Sequence, residues 1–86
     1  MDDWIKDGYT LEHRIKIGDF WVSPKYLVNI DEDNKGYQRY HYKKPNIYGR
    51  YCHYHFVVNK QTREIVGWGF DRDKSNPEME CGISGG

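Results

Sequence analysis

"RYCHYHFVVNKQTREIVGWGF", residues 50–70, decides the reading of this chain. Its first part alternates strictly. Cys52, Tyr54, Phe56 and Val58 fall on one side of an extended strand, and Tyr51, His53, His55 and Val57 on the other. The first set has the character of a core and the second that of a surface. "NKQTRE" (59–64) interrupts the run as a turn, and "IVGWGF" (65–70) returns as a partner strand. In that partner Val66, Trp68 and Phe70 form the apolar set, with Ile65, Gly67 and Gly69 opposite them. Glycines at alternate positions leave a shallow trough beside the neighbouring strand, which Tyr51 or His53 of the same chain could fill.

The same period extends upstream. "YQRYHYKK" (37–44) reads as a strand with Tyr37, Arg39, His41 and Lys43 on one side and Gln38, Tyr40 and Tyr42 on the other. "DEDNKG" (31–36) is a hairpin turn in which Gly36 is free to take positive φ, and "KYLVNI" (25–30) is the strand before it. Leu11, His13, Ile15 and Ile17 alternate with Glu12, Arg14 and Lys16, which predicts a further half-buried strand. Phe20-Trp21-Val22 continues it in extended form until Ser23-Pro24 breaks the run. Residues 1–9 form an arm with room for one helical turn, and residues 72–86 a loosely held tail.

Composition agrees with sheet. The chain has no alanine, two leucines (Leu11 and Leu27) and eight tyrosines, so aromatic and β-branched residues carry its apolar content. Its 86 residues make one domain. A body of this size buries only about 60–65% of the surface its unfolded form exposes, which suits a small binding module better than a large enzyme pocket. The expected fold is an all-β, or mostly β, antiparallel meander of five or six short strands, a curled sheet or small open barrel.

Formal charge sums to zero but is unevenly spread. Between Asp33 and Glu64 lie Lys35, Arg39, Lys43, Lys44, Arg50, Lys60 and Arg63 with no carboxylate among them. Either the acidic ends fold back onto this span, or it presents a basic surface to an anionic partner. No apolar run approaches the roughly 18 residues of a membrane span. Met1-Asp2-Asp3-Trp4 is acidic and unlike a signal peptide. The chain is therefore either cytosolic as it stands or a mature envelope domain whose export signal has been replaced by an initiator methionine. Cys52 and Cys81 either pair across the 28 residues between them, a link worth about 3–4 kcal/mol by loop entropy, or remain two buried thiols.

Four chemistries bear on these residues. His53 and His55 at i, i+2, with His41 from a neighbouring strand, would make a three-histidine zinc set with an open position, but residues 34–63 supply no acidic partner to orient them. Tyr37, Arg39, His41, Lys43, Lys44, Arg50, Tyr51 and His53 interleave rings and cations as a single-strand nucleic-acid platform does, without a defined motif. Asp31, Asp33 and Gly36 match positions of a calcium loop, which fails at Lys35 and Tyr42. Cys52 and His53 point to opposite faces of a strand, so the histidine does not activate the thiol, and no catalytic residue or cofactor is expected.

Residues 51–81 resemble the C-terminal hairpin of small bacterial envelope lipoproteins of unassigned function. There a cysteine opens a strand running to a V-D/N turn, a T-x-x-I-V-x-W return strand follows, and a second cysteine closes the segment. The matching positions are Cys52, Phe56, Val58, Asn59, Thr62, Ile65, Val66, Trp68, Phe70 and Cys81. The resemblance implies a secreted or lipid-anchored domain with a Cys52–Cys81 bridge and no catalytic residues. The expected function is non-enzymatic binding of a protein partner, as an envelope lipoprotein-like domain or an inhibitor or immunity-type protein. Its contact residues would be Tyr37, Arg39, His41, Lys43, Arg50, Tyr51, His53 and His55. Single-strand nucleic-acid binding and zinc binding are the alternatives on the same face.

Overall fold

The computed structural model describes residues 7–74, 76, 80 and 81. Its frame is one antiparallel sheet of four strands, β1 (Leu27–Glu32), β2 (Tyr37–Pro45), β3 (Tyr51–Asn59) and β4 (Ile65–Phe70), in chain order. The meander is as expected, with four strands rather than five or six, and the sheet is open rather than a barrel.

The expected strand over residues 11–17 is instead a helix, α1 (Leu11–Lys16). Leu11 and Ile15 satisfy a helical i, i+4 spacing as well as they satisfy alternation, so the caps decide. Thr10 adopts extended backbone and its hydroxyl accepts from the His13 N–H at 3.1 Å. Glu12 stands in the first turn, Arg14 and Lys16 in the last, and Gly18 at φ +81° follows the C-terminal cap. Phe20-Trp21-Val22 and Pro24-Lys25-Tyr26 are 3-10 turns rather than extended segments. Asp19 caps the first through the Trp21 N–H at 3.0 Å and pairs with Arg14, while Pro24 opens the second.

Turn chemistry fixes the hairpins. Asp33 Oδ1 accepts from the N–H groups of Lys35 (2.8 Å) and Tyr37 (3.0 Å), and Gly36 takes φ +90°. The Tyr37 and Lys35 N–H groups hold the Asp33 carboxyl below its usual range. At the β3–β4 turn, Asn59 Oδ1 accepts from Gln61 and Thr62, and Arg63 sits in the left-handed region at φ +66°. The N-terminal segment is tied to this turn, with Leu11 N–H donating to Arg63 O and Ile65 N–H to Tyr9 O, both at 2.9 Å. The Arg63 guanidinium holds Glu12 at 2.9 and 3.0 Å and donates to Tyr40 Oη at 2.7 Å.

The core lies on the face predicted by alternation. Tyr40, Tyr42, Cys52, Tyr54, Phe56 and Val58 are buried in one cluster with Ile65 of β4 and with Leu11 and Val22. Tyr42 stacks on Tyr54 with ring centroids 5.4 Å apart, and Trp21 meets Tyr54 edge-on at 5.1 Å. Tyr54 Oη donates to Trp21 O at 2.7 Å. These rings supply the volume that alanine and leucine provide elsewhere. A β-bulge opposite Val57 and Val58 shifts the register, pairing Val58 with Ile65 and Val57 with Gly67. Ile65 therefore joins the core and Val66 is exposed, the reverse of the alternation reading at these two positions. The trough beside Gly67 and Gly69 is filled by Val57 and His55, not by Tyr51 or His53. Cys52 and Cys81 form a disulfide with Cα atoms 4.7 Å apart, which ties residues 80 and 81 to the start of β3. The arm and tail expectations fall largely on residues 1–6, 75, 77–79 and 82–86, outside the described residues.

Candidate functional site

The face away from the core carries the residues singled out for binding. β2 and β3 pair so that Arg39 meets Val57, His41 meets His55, Lys43 meets His53 and Pro45 meets Tyr51. Tyr37 pairs with Asn59 at the opposite end of the hairpin. Arg39, Lys43 and Tyr51 are exposed, whereas Tyr37, His41, His53 and His55 are half-buried.

The acidic ends do fold back onto the basic span. Lys60 pairs with Glu32 at 3.1 Å, Arg63 with Glu12, and Arg50 with Glu80 at 3.9 Å. Lys43 lies 4.3 Å above the Tyr51 ring, and Lys44 lies over Phe20 and Trp21. Three of the seven basic groups of the span are thus paired with carboxylates, whereas Lys43 and Lys44 keep their charge over aromatic rings.

His41 and His55 meet across the central strand pair with ring centroids 5.6 Å apart. A carboxylate that lies just outside the strand read from the sequence joins them. Asp71 follows β4, and its N–H donates to His53 O at 2.9 Å, which continues the ladder by one rung. Asp71 Oδ1 lies 2.9 Å from His55 Nδ1, and Oδ2 lies 3.1 Å from His41 Nδ1. The other nitrogen of His41, Nε2, lies 2.8 Å from Asp31 Oδ2 on β1. Burial opposes ionisation of Asp71, but hydrogen bonds from His41 and His55 outweigh it and hold the carboxyl below its usual range. His53 stays outside this group. Burial, with Lys43 and Lys74 nearby, pushes its imidazole below the ordinary pKa. The three-histidine set read from the sequence is thus a cluster of two histidines and an aspartate. Parity carries the signal for the missed residue, because Gly67, Gly69 and Asp71 continue one face of β4.

The β2–β3 turn supplies a second feature that alternation did not reveal. Asn46 Oδ1 accepts from the N–H groups of Tyr48 (2.9 Å) and Arg50 (3.0 Å), and Asn46 Nδ2 donates to Glu80 O at 3.1 Å. The disulfide lies beside this contact, since Glu80 adjoins Cys81. Held in this frame, Ile47 is 90% exposed and Tyr48 78%. They border a groove of about 560 Å³ lined by Trp21, Lys44, Glu80 and the two cysteines.

Comparison of the chain with protein-family models, curated proteins and solved structures finds no match in any of the three.

Proposed function

We propose that this is a non-catalytic binding domain for a protein partner, working in an oxidising compartment, with its contact surface at the β2–β3 turn. The observation that carries this reading is the exposure of Ile47 and Tyr48 on a backbone held by Asn46, Glu80 and the disulfide. Two large side chains left in solvent at 90% and 78% exposure contribute little to folding. The turn that carries them does lower the ordering cost of association, because its backbone is set beforehand by Asn46. Lys44 lines the same groove, and Arg50 and Tyr51 follow the turn in sequence, with Tyr51 paired to Pro45 at this end of the hairpin. A tyrosine-rich apolar centre with a cationic rim is the composition of an interface hot spot. The Cys52–Cys81 bridge favours an exported domain, in keeping with the envelope lipoprotein resemblance.

The test compares capture of partners from an envelope extract of the source cells. The proposal expects one discrete protein to be retained by the oxidised wild type and lost with Ile47→Ser plus Tyr48→Ser. It should persist with Val28→Ser plus Ile30→Ser, which remove comparable exposed apolar groups from β1. Equal loss from both pairs would refute the assignment of the turn.

A further inference from the structure

We propose that His41, His55 and Asp71 form a binding site for a borderline divalent cation, zinc by the chemistry of the donors, with at least one coordination position open. The site is independent of the turn described above and rests on three separate strands of geometry.

The donors converge. One donor atom from each of the three side chains lies within 4.8 Å of the others, and each residue comes from a different part of the sheet. Zinc bonds imidazole nitrogen and carboxylate oxygen at about 2.0–2.2 Å, so two donors on a tetrahedral ion stand about 3.3–3.5 Å apart. The contacts from Asp71 to His41 and His55 are 3.1 and 2.9 Å. An ion taking the place of these hydrogen bonds needs each imidazole nitrogen to draw back from its carboxylate oxygen by only a few tenths of an ångström, and the donor atoms, all within 4.8 Å of one another, to settle to the same spacing. Two imidazoles with one carboxylate suit zinc and its neighbours rather than calcium or magnesium, which take oxygen.

The histidine is also oriented from behind. His41 points Nδ1 at the cluster and Nε2 at Asp31, 2.8 Å away. If Nε2–H donates to Asp31, Nδ1 keeps its lone pair for the ion, which is the carboxylate–histidine–metal arrangement of metalloprotein sites. This carboxylate lies three residues before the span in which the sequence shows none.

Space is reserved as well. A Cβ on Gly69 would stand 3.0 Å from His55 Cε1 and 3.2 Å from Nε2, so the glycine lets the ring lie against the strand. The side chains of His41, His55 and Asp71 keep 16%, 22% and 13% of their surface exposed, which leaves the cluster in contact with solvent. Water, or a donor from a bound molecule, would complete the coordination.

The test uses the full chain with its disulfide intact, freed of metal by chelation and titrated with zinc by calorimetry and with cobalt by visible absorption. The expected result is one equivalent bound at micromolar or tighter affinity, with the intense cobalt bands of a four-coordinate N/O site. His55→Ala and Asp71→Asn should each weaken binding at least tenfold, Asp31→Asn about tenfold, and His53→Ala hardly at all. Amide chemical shifts of the wild type should move first at residues 41, 55 and 71 on adding zinc, a readout that needs no variant to fold. Absence of binding, binding that survives both His55→Ala and Asp71→Asn, shifts centred elsewhere, or dependence on His53 would overturn the proposal.

Discussion

Reduction of the Cys52–Cys81 bridge should cost this domain a large part of its stability. The cross-link spans 29 positions in sequence. Chain-entropy reasoning for a loop of that length gives an entropy loss in the unfolded state of about 12 cal/mol/K, or about 3.6 kcal/mol at room temperature. For a domain of this size, with a typical total stability of about 5–15 kcal/mol, that is a substantial fraction. It corresponds to a fall in Tm of roughly 15–30 °C. The assay is equilibrium denaturant unfolding of oxidised and reduced protein, followed by far-ultraviolet circular dichroism and tryptophan fluorescence. The reduced form should also show a steeper denaturant slope, since its unfolded chain is less compact. Cys52→Ala with Cys81→Ala should behave as the reduced protein does. A difference below about 1 kcal/mol with unchanged slope would refute the reasoning, because the bridge would then not restrict the unfolded chain.

Three further outcomes are expected. Gly69→Ala should destabilise by about 1–3 kcal/mol, because the new methyl displaces His55; Gly67→Ala, whose Cβ would stand 3.5 Å from Val57, should cost clearly less in the same thermal melts. Arg63→Ala should lose about 1–2 kcal/mol with the hydrogen bonds to Tyr40, Gln38 and Glu12, and Arg63→Gly should be less harmful than Arg63→Ala because glycine accepts φ +66° without strain. Burial pushes the phenols of Tyr42 and Tyr54 above their ordinary pKa of 10.0. Unfolded tyrosine loses its proton first, so these two groups leave stability unchanged below that pH and reduce it as pH rises beyond. In an alkaline titration their tyrosinate absorbance should appear together with the loss of circular dichroism; ionisation of all eight tyrosines before unfolding would contradict their burial.

The central strands were legible because a sheet with one buried face writes a period of two into its sequence. Tyr40, Tyr42, Cys52, Tyr54 and Phe56 obey it throughout. The period fails where the backbone stops being regular. The bulge at Val57 and Val58 exchanges Ile65 and Val66, and no pattern of apolar residues marks it. Leu11 and Ile15 fit a strand and a helix equally, and the deciding marks were Thr10 and Gly18 rather than the apolar spacing. The cluster was half legible. His41 and His55 followed from parity, whereas Asp31 and Asp71 flank the carboxylate-free span and reach it only through the sheet register. The turn was least visible, since Pro45-Asn46 marks the end of a strand and says nothing about where Ile47 and Tyr48 will point.

The most direct test of the binding assignment is photo-crosslinking in living source cells with a benzophenone amino acid at position 48, and at position 28 as the control. The account predicts a single discrete adduct from position 48, absent at position 28 and lost when the Cys52–Cys81 bridge is removed. No discrete adduct from position 48, or the same adduct from both positions, would contradict it.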